Sequence, residues 1–241
     1  MKSKLRRRIR LIWFTLVGVF FVWQWTTYQS RGLPEGVLDT NGEVRVEKTA
    51  DYYTFAPVGE ASELEVIFFQ GGLTDPKAYA PLCRQLAENG YVCHLIRMDW
   101  RMPVWDYQKV GGLFDLDSGK YVLGGHSQGA KMAAQWVYEN PGQVLGLFLL
   151  GTSHPRDYSL AGQDLPTLKL YAEHDGLASV DEVLGNEHLL PLGTVLQLVE
   201  GGNHSQFGHL GRLLTDERAT LSRPAQQQIT RDHLLTFLNS I

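Results

Sequence analysis

Residues 121–130 read Tyr-Val-Leu-Gly-Gly-His-Ser-Gln-Gly-Ala, and this stretch decides the fold. An apolar run opens it, and residues with helical spacing follow from 131 to 139. In that setting the pattern Gly125-x-Ser127-x-Gly129 predicts a sharp, strained turn that lifts a serine hydroxyl out of the fold. Side chains at the two glycine positions would collide with the neighbouring strand and helix. We therefore interpret Ser127 as a nucleophile; the alternative is a glycine-rich turn with an incidental serine.

The segments around this turn alternate between apolar runs and helical patterns. Continuous apolar runs predict strands that are buried on both faces, at 66–69, 92–97, 120–124, 144–150, 167–172 and 195–199. Helical spacing predicts helices at 76–89, 106–114, 128–139, 180–184 and 224–239. Strands that alternate with helices form a mostly parallel, doubly wound α/β sheet. Turn signals separate shorter candidates at 36–38, 44–48 and 52–56, which predict two or three antiparallel N-terminal strands.

The first 28 residues combine a basic cluster with an uncharged apolar segment. Residues 1–10 contain six basic residues, and residues 11–28 carry no charge and end in Trp23, Trp25 and Tyr28. As a helix, residues 11–28 would reach about 27 Å, close to the ~30 Å hydrocarbon core of a bilayer. Tryptophan and tyrosine are typical of the membrane interface. We expect one N-terminal transmembrane helix here, through which the protein is held in the membrane.

A secretory signal peptide has the same charge layout and is the alternative. The apolar part is long and bulky, and no Ala-x-Ala-like site follows in residues 26–30, so we favour an uncleaved anchor. The positive-inside rule then places residues 1–10 in the cytoplasm and the rest outside, as a single-pass protein of the cell membrane. Cleavage would instead give a secreted protein. The predicted division is residues 1–32, with the basic N-terminus, the anchor at about 11–28 and the start of a linker, and a domain at 33–241.

The composition of the body excludes several classes of protein. The chain has 241 residues, of which 44% are hydrophobic, enough for one domain with a full core. Of its 22 basic and 26 acidic residues, seven basic residues and no acid lie in 1–31, so the remainder has a net charge of −11. An acidic body argues against nucleic acid as a partner. Cys83 and Cys93 form no metal-binding spacing; we expect two buried thiols rather than a disulfide, and neither a metal ion nor a cofactor.

A nucleophilic serine needs a base and a group that orients the base. Asp175 follows a predicted strand, and Gly176 directly after it favours Asp175 over the neighbouring Glu173. His204 follows the last predicted strand, between glycines that suit a loop returning over the sheet. Loops beyond the carboxyl ends of parallel strands meet at one edge. The sequence therefore predicts a catalytic triad of Ser127, Asp175 and His204.

The donors for an oxyanion are expected to be backbone N–H groups. One is that of Gln128, directly after the serine. The other comes from the segment 71–73 after the first long apolar run, with Gly72 or Leu73 as the donor. Glycine in this segment would let the backbone approach a substrate closely. The alternative is an ordinary turn between a strand and a helix.

Four blocks of sequence, taken in order, resemble the α/β-hydrolase superfamily. They are Gly71-Gly72-x-x-Asp75-Pro76-x-x-Tyr79-Ala80-Pro81-Leu82, Gly125-His126-Ser127-Gln128-Gly129-Ala130, His174-Asp175-Gly176-Leu177-Ala178 and Gly201-Gly202-Asn203-His204-Ser205-Gln206-Phe207-Gly208. More narrowly, residues 63–241 resemble the small bacterial alpha/beta hydrolase fold-5 group, near the dienelactone hydrolases. The resemblance implies the α/β-hydrolase fold and a triad of Ser127, Asp175 and His204. The nucleophile of the dienelactone hydrolases themselves is a cysteine, so their substrate does not carry over to this chain.

Only the sixteen residues 151–166 separate two predicted strands at the point where lipases of this fold insert a helical lid. A segment of that length forms no large lid domain, so we expect an open site suited to small or exposed esters and less to interfacial lipids. The leading hypothesis is a carboxylesterase-like serine hydrolase acting on a small-molecule ester. The same triad would serve amide or peptide hydrolysis or acyl transfer. A catalytically silent, membrane-tethered binding module is a further alternative.

Overall fold

The structure, a computed structural model, describes residues 2–241, with side chains from residue 4 onward. Within these residues eight strands form one sheet: β1 (Val44–Lys48), β2 (Tyr52–Pro57), β3 (Glu65–Phe69), β4 (Val92–Ile96), β5 (Tyr121–His126), β6 (Gly146–Leu150), β7 (Thr167–Ala172) and β8 (Val195–Val199). Their order in the sheet is β1-β2-β4-β3-β5-β6-β7-β8. β2 pairs antiparallel with β1 and with β4, and every other pair is parallel. The predicted mostly parallel α/β sheet with antiparallel N-terminal strands is confirmed.

The described residues also form seven α-helices: α1 (Lys2–Thr27), α2 (Ala80–Glu88), α3 (Pro103–Asp106), α4 (Val110–Leu113), α5 (Gln128–Glu139), α6 (Val180–Gly185) and α7 (Arg223–Leu238). α2 and α7 cover one face of the sheet and α5 covers the other. Phe68 lies in the apolar cluster that includes α2 and α7, whereas Phe69 lies in the cluster that includes Met132 and Trp136 of α5. Neighbouring side chains of a strand point to opposite faces, so a sheet covered on both faces requires continuous apolar runs.

β5 is the strand that positions the candidate nucleophile. It pairs with β3 on one side and β6 on the other, and all of its residues are buried. Ser127 follows its last residue, and α5 begins immediately afterwards at Gln128. Because β3 to β8 run parallel to one another, the loops after their carboxyl ends gather at one edge of the sheet around Ser127.

Two of the predicted elements are not formed as expected. The strand predicted at 36–38 is absent, since residues 35–38 form turns in which Gly36 has φ +68° and the Asp39 N–H donates to the Gly36 carbonyl at 2.9 Å. The helix predicted at 106–114 is divided into the end of α3, a 3₁₀ turn and the short α4. Glycine at positions 111 and 112 disfavours a longer helix.

α1 lies largely outside the body, because nearly all of its side chains from residue 4 to residue 26 are exposed. By length and composition it is able to cross a membrane over Lys4–Thr27, although a signal sequence meets the same criteria. Three backbone hydrogen bonds attach its carboxyl end and the residues that follow to the body: from Gly211 N–H to Thr27 O (3.2 Å), from Asp75 N–H to Tyr28 O (2.8 Å) and from Arg31 N–H to His209 O (2.8 Å). A β-bridge between Ser30 and Leu210 adds to this attachment. The segment after α1 is therefore fixed to the domain.

Candidate active site

Ser127 lies on a strained turn at the end of β5. Its backbone has φ 55° and ψ −121°, a conformation that a residue with a side chain rarely adopts. The Ser127 N–H donates to the Leu150 carbonyl (2.9 Å), and its carbonyl accepts from the Lys131 N–H (3.0 Å). A side chain at Gly125 would overlap the Phe69 carbonyl, and one at Gly129 would overlap the carbonyls of Phe69 and Gln70. Close packing of β5, α5 and β3 thus holds the turn in its strained form, as the glycine spacing predicts.

The structure brings His204 and Asp175 together. His204 Nδ1 lies 2.8 Å and 3.0 Å from the two carboxylate oxygens of Asp175, and both side chains are buried. Asp175 Oδ1 also accepts hydrogen bonds from the Leu177 and Ala178 N–H groups, at 2.8 Å each. Three donors therefore fix the orientation of this carboxylate. Glu173, the neighbouring candidate, is turned away and accepts from the Gly201 N–H at 2.7 Å.

This pairing decides which nitrogen of His204 faces the cleft. An Nδ1–H that donates to a carboxylate leaves Nε2 as the basic nitrogen. Among the described residues, His204 Nε2 is buried and has no hydrogen-bond partner. Ser127 and His204 line the same cavity, without a hydrogen bond between the serine hydroxyl and Nε2 within residues 4–241. Such contacts are often loose in the absence of substrate.

The backbone N–H groups beside Ser127 separate the two candidates for the upstream donor. The Leu73 N–H donates to the Arg101 carbonyl at 2.6 Å, so it is not free to bind an oxyanion. In the part of the chain that the structure describes, the N–H groups of Gly72 and Gln128 have no partner. Both residues line the cavity that contains Ser127. The geometry favours Gly72 over Leu73 as the second donor.

His126, inside the turn, contacts both Tyr79 and His204. Its Nδ1 lies 2.8 Å from the Tyr79 hydroxyl, which accepts from the Gly71 N–H at 3.1 Å. The His126 ring lies 4.5 Å from the ring of His204, centroid to centroid. Burial, and secondarily the proximity of His204, lowers the pKa of His126 well below its usual value. His126 therefore stays neutral beside His204 and links the turn to the 71–73 segment.

Asp216 is a residue of the site that the sequence did not reveal. Its buried carboxylate accepts from the N–H groups of His204 (3.2 Å) and Ser205 (2.9 Å), and from the Ser205 hydroxyl at 2.5 Å. It also lies 3.4 Å from the Gly176 N–H, in the loop of Asp175. One carboxylate thus connects the loop of the base with the loop of the acid. No motif marks it, because three of these four donors are backbone N–H groups, which any sequence supplies.

Two clefts of different character meet at Ser127. One, of about 210 Å³, has mostly apolar walls: Tyr28, Leu73, Met102, Leu177 and Leu213. The other, of about 310 Å³, has mostly polar and basic walls: Lys131, Thr152, Ser153, His154 and Arg156. A substrate with one apolar and one polar half would match the two sides of the serine.

A buried lysine lies close to the polar cleft. Lys169 on β7 is fully buried, and its Nζ donates to the His154 carbonyl at 2.9 Å. Burial, with a smaller contribution from Arg156, lowers the pKa of Lys169 to about 7. Burial and the nearby Lys131 and Arg156 lower the pKa of His154 to about 4. At neutral pH, His154 is therefore uncharged and Lys169 is partly deprotonated.

The remaining candidate residues, the two cysteines, lie in the interior of the protein. Cys83 and Cys93 are both buried and unbonded, as expected. Among the described residues, no group of three or more His, Cys, Asp or Glu side chains is placed to hold a metal ion.

Comparison with known proteins places these features in a family. The model of a family described as "Alpha/beta hydrolase family" matches residues 65–228. Comparison with curated proteins finds no match. The fold is similar to that of TT1662 from Thermus thermophilus, with 16% identity and a TM-score of 0.52 over 81% of this chain and 98% of that one. It is also similar to a Bacillus subtilis protein described as a "putative hydrolase", with 11% identity and a TM-score of 0.53 over 84% and 94% of the two chains.

Proposed function

Since the chain belongs to the α/β-hydrolase family, we propose that it is a serine hydrolase that cleaves carboxylic esters. Membership of the family supports hydrolysis in general. The ester specificity and the roles of individual residues rest on the geometry of the site. One observation carries the proposal: His204 is bonded to Asp175 through Nδ1, and its buried Nε2, which has no partner among the residues that the structure describes, lies at the cavity of the strained Ser127.

In the proposed reaction, the Ser127 hydroxyl attacks the ester carbonyl while His204 Nε2 takes its proton. Asp175 stabilises the imidazolium that forms. The carbonyl oxygen becomes an oxyanion, which accepts hydrogen bonds from the N–H groups of Gly72 and Gln128. His204 then donates the proton to the departing alcohol. The acyl group remains on Ser127 as an ester. Water, deprotonated by the same nitrogen, attacks this acyl-enzyme, and the acid leaves as the serine is restored.

The short connection between β6 and β7 supports small or exposed esters as the substrates. Residues 151–166 cross this edge without an α-helix, and both clefts are open to solvent. Amide hydrolysis and acyl transfer would use the same three residues. A matched pair of substrates, an ester and an anilide of the same acyl chain, separates ester from amide hydrolysis, and we expect turnover of the ester to dominate.

We also propose that α1 is an uncleaved anchor in the cell membrane, with the domain on the extracytoplasmic side. The length and exposure of the helix support a membrane position, and the basic residues before it support the orientation. Sequencing the N-terminus of the protein from a membrane fraction tests this. A chain that begins after Tyr28 would show that the segment is a signal peptide.

The catalytic proposal is tested with the full chain in detergent micelles. We expect a fluorophosphonate probe to label Ser127 and p-nitrophenyl acetate to be hydrolysed. Ser127→Ala should abolish the labelling and lower kcat by at least ~10⁴-fold. Ser118→Ala is the matched control, because Ser118 is exposed and precedes β5, at the end of that strand opposite to Ser127. Activity retained in Ser127→Ala would refute the serine mechanism, and an unlabelled folded chain would favour a silent binding module.

A further inference from the structure

We propose that the candidate site operates at the surface of the membrane that α1 spans, on esters that reside in that bilayer. This inference names the substrate class of the proposed esterase and rests on that proposed function. Three observations carry it: the composition of the cavity wall, the attachment of α1 and the surface around the cavity mouth.

The first observation is that the anchor reaches the cavity itself. Tyr28, the residue directly after α1, lines the apolar cleft together with Ser127 and His204. The apolar segment of α1 ends at the same residue, so Tyr28 marks the level at which the hydrocarbon core gives way to headgroups. A cavity with Tyr28 in its wall therefore opens at the depth of the headgroups. A lipid ester carries its carbonyl at this boundary, between its acyl chains and its polar part.

The second observation is that the end of α1 is fixed on both sides of the site. Tyr28 accepts from the N–H of Asp75, which follows the segment of Gly72, and the Ser30 hydroxyl donates to the Asp75 carboxylate at 2.9 Å. Residues 27–31 also bond to residues 209–211, which follow His204. A flexible linker would let the mouth face in any direction. This attachment leaves no free chain between the span and the loops of the proposed oxyanion donor and base.

The third observation is the surface beside this attachment. We call residues 97–105, which follow β4, the rim loop. Its two tryptophans, Trp100 and Trp105, are 87% and 72% exposed. The rim loop lies beside the end of α1, because the Arg101 guanidinium lies 4.6 Å from the ring of Trp25. Tryptophan favours the interface of a bilayer, where its ring is neither in water nor in hydrocarbon.

The basic side chains where α1 joins the body agree with this placement. Arg31 and Arg101 lie where α1 joins the body, and within residues 4–241 neither is within ion-pair distance of a carboxylate. The Arg101 Nη2 bonds instead to the Gln29 side chain at 3.3 Å. Cations at the headgroup level attract anionic lipids. The aromatic and basic side chains together match a lipid surface better than bulk water.

The two clefts then correspond to the two halves of a membrane ester. The apolar cleft, with Tyr28, Leu73 and Met102, adjoins the bilayer and would accept an acyl chain that has not left the hydrocarbon. The polar cleft, which is also lined by Ser127, would accept the polar alcohol half. The short 151–166 segment argued against interfacial lipids on the ground that no lid forms. The fixed anchor supplies a second way of meeting an interface, in which the bilayer itself covers the site.

The decisive experiment uses the full chain in vesicles of phosphatidylcholine and phosphatidylglycerol. Two substrates are measured in the same sample: a fluorogenic long-chain lipid ester within the bilayer, and p-nitrophenyl acetate in the water. In a loosened variant, four leucines and a flexible Gly/Ser segment of about twelve residues are inserted between Gln24 and Trp25. The leucines restore the length of the span, and residues 25–31 keep their contacts with the body. We expect turnover of the lipid ester to fall at least tenfold and turnover of acetate to change less than twofold.

A second pair of variants tests the rim loop without changing the anchor. Trp100→Ser combined with Trp105→Ser should lower turnover of the lipid ester several-fold and leave acetate turnover unchanged. Leu192→Ser is the matched control, because Leu192 is 97% exposed and precedes β8, at the opposite edge of the sheet. It should change neither activity.

Contact with lipid is measured directly, without reference to activity. Cys83 and Cys93 are buried, so an introduced surface cysteine is labelled selectively. A dye on Trp100→Cys should be quenched by brominated lipids, and a dye on Leu192→Cys should not. Equal quenching at the two sites, or lipid-ester turnover that survives in the loosened variant, overturns the inference. Acetate hydrolysis by Ser127 without any turnover of the lipid ester overturns this inference alone, whereas absence of both activities and of probe labelling refutes the proposed function itself.

Discussion

Two loops at the same edge of the sheet are built in opposite ways. The rim loop follows β4, and residues 200–216, which we call the base loop, follow β8. In the base loop His204, Ser205 and Asp216 are buried and bonded to one another, whereas the rim loop exposes two tryptophans. In the rim loop, Trp100 and Arg101 have positive φ, 52° and 57°, although neither residue is glycine. The difference teaches that the proposed chemistry depends on a loop locked inside the fold, whereas the proposed access to it depends on a loop exposed at the surface.

The largest expected effect lies where the base loop meets its acid. Asp175→Asn should lower kcat for p-nitrophenyl acetate by ~10⁴-fold, because an amide that donates to Nδ1 places the imidazole proton on Nε2, where the serine needs a base. Glu173→Gln is the control in the same loop, since Glu173 bonds to Gly201 and not to His204. It should cost less than tenfold. Similar losses in both variants would contradict the assignment of Asp175.

The next effect tests the lock inside the base loop. Asp216→Asn replaces one of the two acceptor oxygens with an NH2 donor, so the bond from either the His204 N–H, which donates to Oδ1, or the Ser205 N–H, which donates to Oδ2, is lost. We expect the free energy of unfolding to fall by about 1–3 kcal/mol. A displaced base should lower kcat by about 10- to 100-fold with little change in KM.

Denaturant unfolding and acetate kinetics measure the two effects of Asp216→Asn. Glu217→Gln, at the exposed neighbouring position, should change neither quantity. A loss of stability with normal kcat would show that Asp216 supports the fold and does not position His204.

A pH effect is expected from Lys169, which is buried close to the polar cleft. Below pH 7, Lys169 is protonated in both the folded and the unfolded chain, and the folded chain carries the full penalty of burying the charge. Above pH 7 the folded chain releases the proton while the unfolded chain keeps it up to the ordinary pKa, so stability rises with pH. Relative to Lys169→Met, the wild type should gain about 1–3 kcal/mol between pH 7 and pH 9. Parallel stability curves for the two proteins, measured by denaturant titration, would contradict the lowered pKa.

The smallest effect belongs to the rim loop. Trp105→Ser should change the free energy of unfolding by less than about 0.5 kcal/mol, because the side chain packs against little of the protein. Its kcat for acetate should stay within twofold of wild type. A large loss on this soluble substrate would remove the distinction between the two loops.

The sequence predicted most of the helices and strands well, because these elements depend on local patterns. The bounds of α5, β7 and β8 agree with the apolar periodicity to the residue, and Ser127 lies at the turn between β5 and α5. Glycines at 125 and 129 predict the turn because the packing there leaves no room for a side chain. The alternation of strands and helices predicted a mostly parallel sheet for the same reason, but not the order of its strands.

Features that depend on distant contacts escaped prediction. Asp216 acts on backbone N–H groups and leaves no motif. The choice between Gly72 and Leu73 depends on the Arg101 carbonyl, which takes the Leu73 N–H. The attachment of residues 27–31 looked like a linker because its bonds also go through the backbone. Long-range backbone contacts have no signature in composition or periodicity, and the catalytic assignments themselves stay predictions until the variants are measured.

The contact between residues 27–32 and the end of the base loop also has a consequence for biosynthesis. His209 Nδ1 lies 3.1 Å from the Gly32 carbonyl, and the two residues are 177 positions apart in the chain. Residues 27–32 leave the ribosome early, and residues 209–211, which they contact, leave it much later. Contacts of such separation form late, because the loop between them must close first. If α1 is the membrane anchor proposed above, completion of the hydrolase domain is a post-insertion event, in which the newly made body closes onto a helix already seated in the lipid.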